Sequence, residues 1–348
     1  MGFPVDKIGI KAFGPQGLER LVAQSGQPRF RAAQLTKWIY SRNAISFDEM
    51  TDLPAAWRET LASTTPLTAP ELVAKQISKL DGTRKYLWRL ADGVSVESVG
   101  LPGPERLTVC FSTQAGCAMG CSFCATGAAG LTRDLAPGEM VDQVRLVGLD
   151  FEKRVTNAVA MGQGEPFANY EASLDALRLM NSPDALGIGA RHLTVSTCGL
   201  TTGIDRFAQE PEQFTLAISL HSAVQATRDT LMPGVRGIPL RALRASVIAY
   251  AERTGRRPSF EFALIDGVND SDAELGALIE FTRGLLCHVN LIPVNTIEGS
   301  TLRRVTQQRA LEFLNALVHS GTESSIRTER GADIDAACGQ LKQTASER

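Results

Sequence analysis

Apolar residues recur at three- and four-residue spacing in GLERLVAQ (17–24) and FRAAQLTKWIYSR (30–42), and LPAAWRETLAS (53–63) places Pro54 at a helix start. These patterns predict a small helical domain over residues 1–68. Across 69–102 the period changes to two. LVAKQISKL, KYLWRL and VSVESVGL alternate apolar and polar positions, separated by Asp81-Gly82 and Asp92-Gly93. Asp-Gly between alternating runs favours the left-handed backbone of a tight hairpin, so a short antiparallel β meander is predicted. From 103 to 348 strand-like runs (LTVCFS, VTNAVAMG, HLTVST, FTLAISL, PSFEFALI, HVNLIPV) alternate with helical ones such as PGEMVDQVRLVGLDF, YEASLDALRLM, LRALRASVIAYAER and DAELGALIEFTR. Strands separated by helices of ~10–15 residues build βαβ units on a parallel sheet. Six units are countable, fewer than the eight of a closed barrel. An incomplete (β/α) barrel and an open doubly wound sheet both satisfy the pattern.

Composition narrows the function classes. With 348 residues, 43% of them hydrophobic, the chain buries a real core and has room for two domains; global disorder is excluded. The formal net charge is −2, from 36 basic and 38 acidic residues. That argues against an indiscriminate electrostatic nucleic-acid binder and leaves room for a local basic patch. Candidates for such a patch are Arg29, Arg31 and Lys37, the pair Arg256-Arg257 and the pair Arg303-Arg304. The opening residues MGFPVDKIGIKAFG carry no apolar signal region, and no apolar run reaches the ~18 residues of a membrane span. A cytoplasmic protein without membrane association is expected. Seven cysteines, an odd number, do not suggest a disulfide framework. In a reducing compartment clustered cysteines are metal ligands or reactive thiols.

The most informative stretch is CFSTQAGCAMGCSFCATGAAG, which places Cys117, Cys121 and Cys124 in a C-x3-C-x2-C array directly after the first barrel strand. Three thiolates in one glycine-rich loop hold three irons of a cubane cluster and leave the fourth iron open to a substrate ligand. Zinc is the rival, but a structural zinc site takes four protein ligands in paired short spacings, and no second CxxC or HxxxH completes one here. Cys110 lies seven residues before the array, and Cys338 lies in GADIDAACGQL near the C-terminal end of the sequence. Taken alone, each reads as a small core hydrophobe.

The array, with Phe123 before its third cysteine, resembles the signature of the radical S-adenosylmethionine superfamily, whose usual fold is an incomplete β/α barrel. The ordered strings VESV, C-x6-C-x3-C-x2-C, MGQGEP, VSTCG, ISLH, PVN and DIDAACGQL are more specific. Together they resemble the radical S-adenosylmethionine RNA adenine methyltransferases, the dual-specificity rRNA/tRNA adenine C2-methylases, over nearly the whole chain. The resemblance implies an incomplete (β/α)6 barrel behind the helical domain and meander. It implies one [4Fe-4S] cluster on Cys117, Cys121 and Cys124, and two molecules of S-adenosylmethionine per turnover. The first methylates Cys338; the second yields a 5′-deoxyadenosyl radical that abstracts hydrogen from that S-methyl group, and the methylene radical adds to the adenine carbon. Cys110 then resolves the protein–RNA adduct through a transient disulfide with Cys338.

By the same resemblance Glu97 is the proton acceptor, although a glutamate on a meander strand otherwise reads as solvated. Gly164 and Glu165 contact the amino group of S-adenosylmethionine, and Ser196, Ser219, Leu220, His221 and Asn295 make further contacts with it. Cys198 and Cys287 match no role and read as packing residues. Implied partners are large-subunit rRNA, tRNA and an electron donor such as a flavodoxin-type reductase system, with the enzyme itself a monomer. The chain departs from the family at Gln163, where methionine is common, at Phe167, where leucine is, and at Cys198, where serine is. Pro166 follows the glutamate, whereas the related C8-methylating antibiotic-resistance enzymes carry alanine there. That favours C2 over C8. The alternatives are adenine C8 methylation and a non-catalytic RNA- or ribosome-binding iron–sulfur protein.

Overall fold

A computed structural model describes residues 2–128, 130–295, 297 and 299–341. The N-terminal helices are α1 (Val5–Ile8), α2 (Pro15–Gln24), α3 (Arg31–Thr36), which continues as a π turn to Ser41, and α4 (Ala55–Thr64). Their apolar stripes, among them Leu18, Val22, Leu35, Ile39, Trp57 and Leu61, are buried in a core that runs on without a break into the rest of the chain. The next elements are three antiparallel strands, β1 (Glu71–Ile77), β2 (Arg84–Arg89) and β3 (Ser95–Pro102). Gly82 and Gly93 take the positive φ (73° and 88°) that the Asp-Gly turns require.

The following segment holds β4 (Leu107–Cys110), β5 (Gln114–Gly116), α5 (Ala125–Ala128), β6 (Leu131–Asp134), α6 (Pro137–Asp150), β7 (Asn157–Ala160), α7 (Tyr170–Asn181), β8 (Leu193–Thr197), α8 (Thr201–Phe207) and β9 (Thr215–Ser219). It continues with α9 (Gln225–Leu231), α10 (Leu240–Thr254), β10 (Ser259–Leu264), α11 (Asp272–Thr282), β11 (His288–Pro293), α12 (Gln307–His319) and β12 (Glu323–Ile326). One ten-stranded sheet runs in the order β1-β2-β3-β4-β7-β8-β9-β10-β11-β12. Its pairings are antiparallel as far as β4 and parallel from β4 to β12. Six strand–helix units are therefore followed by a seventh parallel strand, and the meander extends the barrel sheet directly. The sheet curls, because residues at the carboxyl ends of strands from β7 to β12 line one cavity. That is the end where a β/α barrel carries its site.

The predicted runs became the expected elements where their period was clear. The structure adds β5 and β6, which form a separate hairpin, and α8, α9, α12 and β12. The ESSI of β12 offers little apolar signal and pairs on one side only, with β11. Arg133 on β6 ties the hairpin down. Its guanidinium meets Asp92 of the β2–β3 turn at 2.6 Å and Glu139 of α6 at 2.8 Å, and all three are buried or nearly so. Glu139 also accepts the Ala136 N–H (2.9 Å) at the start of α6. Among the described residues no helix is long and apolar enough to cross a membrane.

Candidate active site

The three-cysteine loop is bracketed by the β5–β6 hairpin and closed by a hydrogen bond from Cys117 N–H to the Gly130 carbonyl (2.9 Å). Gly116, at φ 78°, sits so close to that carbonyl that a Cβ would lie 2.0 Å from its oxygen. Neighbouring elements grip the loop at three more points. Gly234 N–H donates to Met119 O (2.9 Å), Ser122 N–H to Leu231 O (2.9 Å) and Ala125 N–H to Gly339 O (2.7 Å). Cys117, Cys121 and Cys124 all line the barrel cavity as free thiols. Burial, then the neighbouring Cys124 and Glu165 charges, push the Cys117 thiol up to about 11 and that of Cys121 higher still. Thiols raised in this way lose their protons only against a compensating positive group. Among the described residues no three His, Cys, Asp or Glu side chains converge closely enough to share one ion. A cubane places each thiolate on its own iron, and three thiols of one loop lining one cavity fit three of its corners, whereas a structural zinc takes four ligands.

Across the cavity, Gly164 adopts φ 101° and carries the chain against Gln114, whose side chain would stand 2.6 Å from a Cβ. Gln114 Oε1 accepts the Glu165 N–H (2.8 Å). The Glu165 carboxylate accepts Phe167 N–H (2.9 Å) and Cys198 N–H (2.7 Å), while burial raises its pKa. Ser196, Ser219, His221 and Asn295, at or just past the ends of β8, β9 and β11, face the same cavity. Leu220 does not line it. Its side chain is fully buried in the core and its N–H donates to Glu261 O.

His221 is held at φ 56° by Asn269, whose Nδ2 donates to the His221 and Ala263 carbonyls (2.6 and 2.7 Å). Its Nδ1 accepts Ala263 N–H (2.8 Å), and burial with nearby Arg228 drops its pKa to about 3. The ring is therefore neutral with the proton on Nε2. Phe123 meets it edge-on at 4.4 Å.

Cys110 and Cys338 line a second cavity that shares Cys124, Met161, Asn295, Arg327 and Gly339 with the first. Cys110 ends β4 and is packed with Val99, Ala336 and Leu341. Burial, and then the Cys338 charge, push its thiol up to about 12. Cys338 is half-buried, and its carbonyl accepts Asn295 Nδ2 (3.1 Å). Thr126 Oγ1 donates to Leu341 O (2.9 Å), so the segment after Cys338 docks on α5. Glu97 is not solvated but buried (5% exposed), with its carbonyl accepting Ser112 Oγ (2.6 Å). It lies outside both linings; Val99 and Leu101, on the same face of β3, line the second cavity.

Sequence reasoning missed Arg327, Glu261 and Asn269. Glu261 was findable as an acid among the core positions of PSFEFALI. Its Oε2 accepts Asn290 Nδ2 (2.7 Å) and lies 3.9 Å from Arg327 Nη1.

Residues 8–66 match the family model described as the ribosomal RNA large subunit methyltransferase N-terminal domain, and 111–279 match the radical SAM superfamily. A probable dual-specificity RNA methyltransferase RlmN of Pelotomaculum thermopropionicum is 44% identical over 98% of this chain and 94% of its own length. Its counterpart in Geobacillus kaustophilus is 46% identical over 93% and 89%. The crystal structure of a radical SAM methyltransferase from Sphaerobacter thermophilus superposes with a TM-score of 0.90, at 44% identity over 97% of this chain and 100% of that one. The chain belongs to the RlmN family.

Within that RlmN frame, Gln163, Phe167 and Cys198 surround the Gly164-Glu165 segment. Cys198 is not only a packing residue: it lines the cavity, and its backbone joins Glu165 to Arg228, whose Nη2 donates to its carbonyl (2.6 Å). Cys287 is in the core. Phe167 packs at a tilt against Tyr170 and Phe207 and fits because residue 203 is glycine, where a Cβ would meet its ring at 2.6 Å. Gln163 is buried, and neither side-chain amide atom has a partner among the described residues.

Of the basic candidates, Arg29 is exposed and paired with Glu19 (3.1 Å), Arg31 bonds Gln34 (2.7 Å), and Lys37 is exposed. Arg257 pairs with Glu323, Arg303 with Asp266 (3.7 Å) and Arg304 with Glu329, while Arg256 stacks over Tyr250. Arg304 alone of these lines the second cavity.

Proposed function

We propose that this protein methylates C2 of an adenine in large-subunit rRNA, and in tRNA, through an S-methylcysteine on Cys338. The observation that carries the reading is the meeting of Cys110 and Cys338, more than two hundred residues apart, on a cavity shared with the three-thiol loop. Cys117, Cys121 and Cys124 would hold a [4Fe-4S] cluster. Its bound chemistry is one-electron cleavage of a second S-adenosylmethionine to the radical that activates the S-methyl group.

Adenine C2 is electron-poor and is no nucleophile, so a direct attack on a sulfonium methyl is closed to it. The Cys338 thiolate is a nucleophile. Its sulfur forms the bond to the methyl group of S-adenosylmethionine, and S-adenosylhomocysteine leaves with the electron pair. Glu165 and Gly164 are assigned the amino group of S-adenosylmethionine, with Ser196, Ser219, Leu220, His221 and Asn295 as further contacts. Leu220 would act there through its backbone. The bond from the methylene radical to C2 leaves an adduct radical whose odd electron would return to the cluster, and Glu97 is assigned the C2 proton that is lost with it. Cys110 then attacks the Cys338 sulfur of the adduct, a disulfide forms, and the carbon–sulfur bond breaks with its electron pair moving into the modified base, where protonation completes the methyl group. A stacked adenine is out of reach of two thiols on a cavity wall, so the substrate adenosine must leave its stack.

Residues 1–68 are read as the RNA-facing domain, 69–102 as the meander joining it to the core, and 103–348 as the catalytic barrel. The protein is read as a cytoplasmic monomer served by a flavodoxin-type reductase.

Mass spectrometry of nucleosides from RNA treated with anaerobically reconstituted protein tests this. Wild type yields 2-methyladenosine, and Cys338→Ala keeps its iron but yields none. Cys110→Ala accumulates a covalent protein–RNA species. Product that is 8-methyladenosine, or that persists in Cys338→Ala, overturns the reading.

A further inference from the structure

Arg228 is completely buried, and its guanidinium is only partly satisfied. Nη2 donates to the Cys198 carbonyl (2.6 Å), but Nε and Nη1 have no partner among the described residues. A buried cation with two orphan donors is costly, and a protein keeps one only where something compensates it. The carboxylate whose charge it feels, Asp229, is occupied with Gln225 Nε2 (2.8 Å). The remaining groups that feel the Arg228 charge are the Cys198 and Cys121 thiols and the His221 ring, whose neutrality it favours.

The helix that carries Arg228 is itself fastened to the cysteine loop. Leu231 O, at the end of α9, accepts Ser122 N–H, and Gly234 N–H reaches Met119 O, both at 2.9 Å. Residues 119 and 122 flank Cys121, so Arg228 cannot drift relative to that ligand without breaking the docking. The guanidinium also stands behind Cys198, in the wall of the three-thiol cavity.

We propose that Arg228 is the fixed counter-charge of the iron–sulfur cluster and raises its reduction potential. The inference rests on the cluster reading given above. Three thiolates around a [4Fe-4S]2+ core sum to −1, and one-electron reduction takes this to −2. A buried positive charge behind one ligand favours the reduced form, because net charge and hydrogen bonding around the thiolates set cluster potentials. Arg228 touches no substrate atom in this account; it positions charge. The orphan donors are a burden in the empty protein and are compensated in the loaded one.

The test is an anaerobic reductive titration of reconstituted full-length protein followed by electron paramagnetic resonance, with melting curves of the apo- and iron-loaded forms. Arg228→Met should load with iron and show a reduction equilibrium constant at least tenfold lower, about 59 mV for one electron. Arg228→Lys, which keeps the charge, should stay within threefold of wild type. Removing the unpaired cation should leave the apo-protein as stable as wild type or more so, and lower the stability of the loaded form. If Arg228→Met will not load, an unchanged or raised apo melting temperature supports the proposal, and a lowered one assigns Arg228 to structure alone and overturns it. An unshifted potential in Arg228→Met, or an equal shift in Arg228→Lys, also overturns it. Wild-type protein that fails to take up about four irons sinks the cluster reading itself.

Discussion

Gln163 shows what a buried polar side chain costs when nothing among the described residues pairs with it. Its backbone is fully used: the N–H donates to Ser112 Oγ (2.9 Å) and the carbonyl accepts from Thr113 and Gln114. Its side-chain amide is buried without a partner. A buried unsatisfied amide costs about 1–3 kcal/mol, whereas methionine of similar length fills the space without polar atoms. Gln163→Met should therefore stabilise the protein by about 1–3 kcal/mol in denaturant unfolding, with iron uptake unchanged. A variant no more stable than wild type would mean the amide has a partner. At this scale the sequence was legible where chemistry needs several residues at fixed spacing, as in Cys117, Cys121 and Cys124. It was not legible for Glu97, which reads as a solvated strand residue and is buried. Nor did it show Arg327, which lines both cavities. An isolated arginine carries no spacing, and its site is assembled by the fold.

Among the elements, the β1–β2 turn has a task beyond reversing the chain. Asp81 Oδ2 accepts Gly331 N–H (3.0 Å) and lies 2.9 Å from Arg330 Nε, while Asp333 accepts Lys79 N–H (2.9 Å). Lys85 Nζ reaches the Asp335 carbonyl (3.2 Å). The meander thus grips the segment that leads into Cys338, which passes through left-handed backbone at Gly331 and Asp335 (φ 62° and 50°). Burial alone would raise the Asp81 pKa, but hydrogen bonds from Thr83, Gly331 and Ser78 bring it down to about 2. A depressed carboxylate contributes stability that is full above its ordinary range near 4 and is lost as pH falls through about 2. The grip is consequently independent of pH from 5 to 8. Asp81→Ala should raise hydrogen exchange across 330–341 and lower methyl loading of Cys338 several-fold, read by intact-protein mass spectrometry, with iron content unchanged. Equal loading would show that the turn does not place Cys338. The hairpin itself was legible in Asp81-Gly82, and the long helices in their apolar period. The grip was not, because its partners lie about 250 residues apart.

For the whole molecule, the chain reads as a helical domain beside a barrel, yet the two share one core. Ile10, Leu18 and Trp57 belong to the same buried cluster as Val109 and Phe262. The joint also holds charge. Lys11 Nζ meets Asp142 of α6 at 2.6 Å with both side chains buried, and Asp142 is shared with Arg145 at 2.9 Å. Lys11 lies within IGIKAF, and lysine is seldom buried without a partner. Its partner stands 131 residues away on a helix whose sequence gives no sign of it. Burial lowers the Lys11 pKa and Asp142 opposes that fall. Removing one member of a buried pair leaves an uncompensated charge and costs about 3–5 kcal/mol. Asp142→Leu strands two cations, Lys11 and Arg145, of which only Arg145 keeps another partner among the described residues, the Asn43 side chain at 2.7 Å. Calorimetry of this variant should show a loss of about 3–5 kcal/mol in a single transition, because a continuous core unfolds as one unit. Adding Lys11→Met should recover about half of that loss, since the better buried of the two stranded charges is then gone. Two separate transitions, with the second at the wild-type temperature, would instead mean that the helices and the barrel are independent folding units that merely touch.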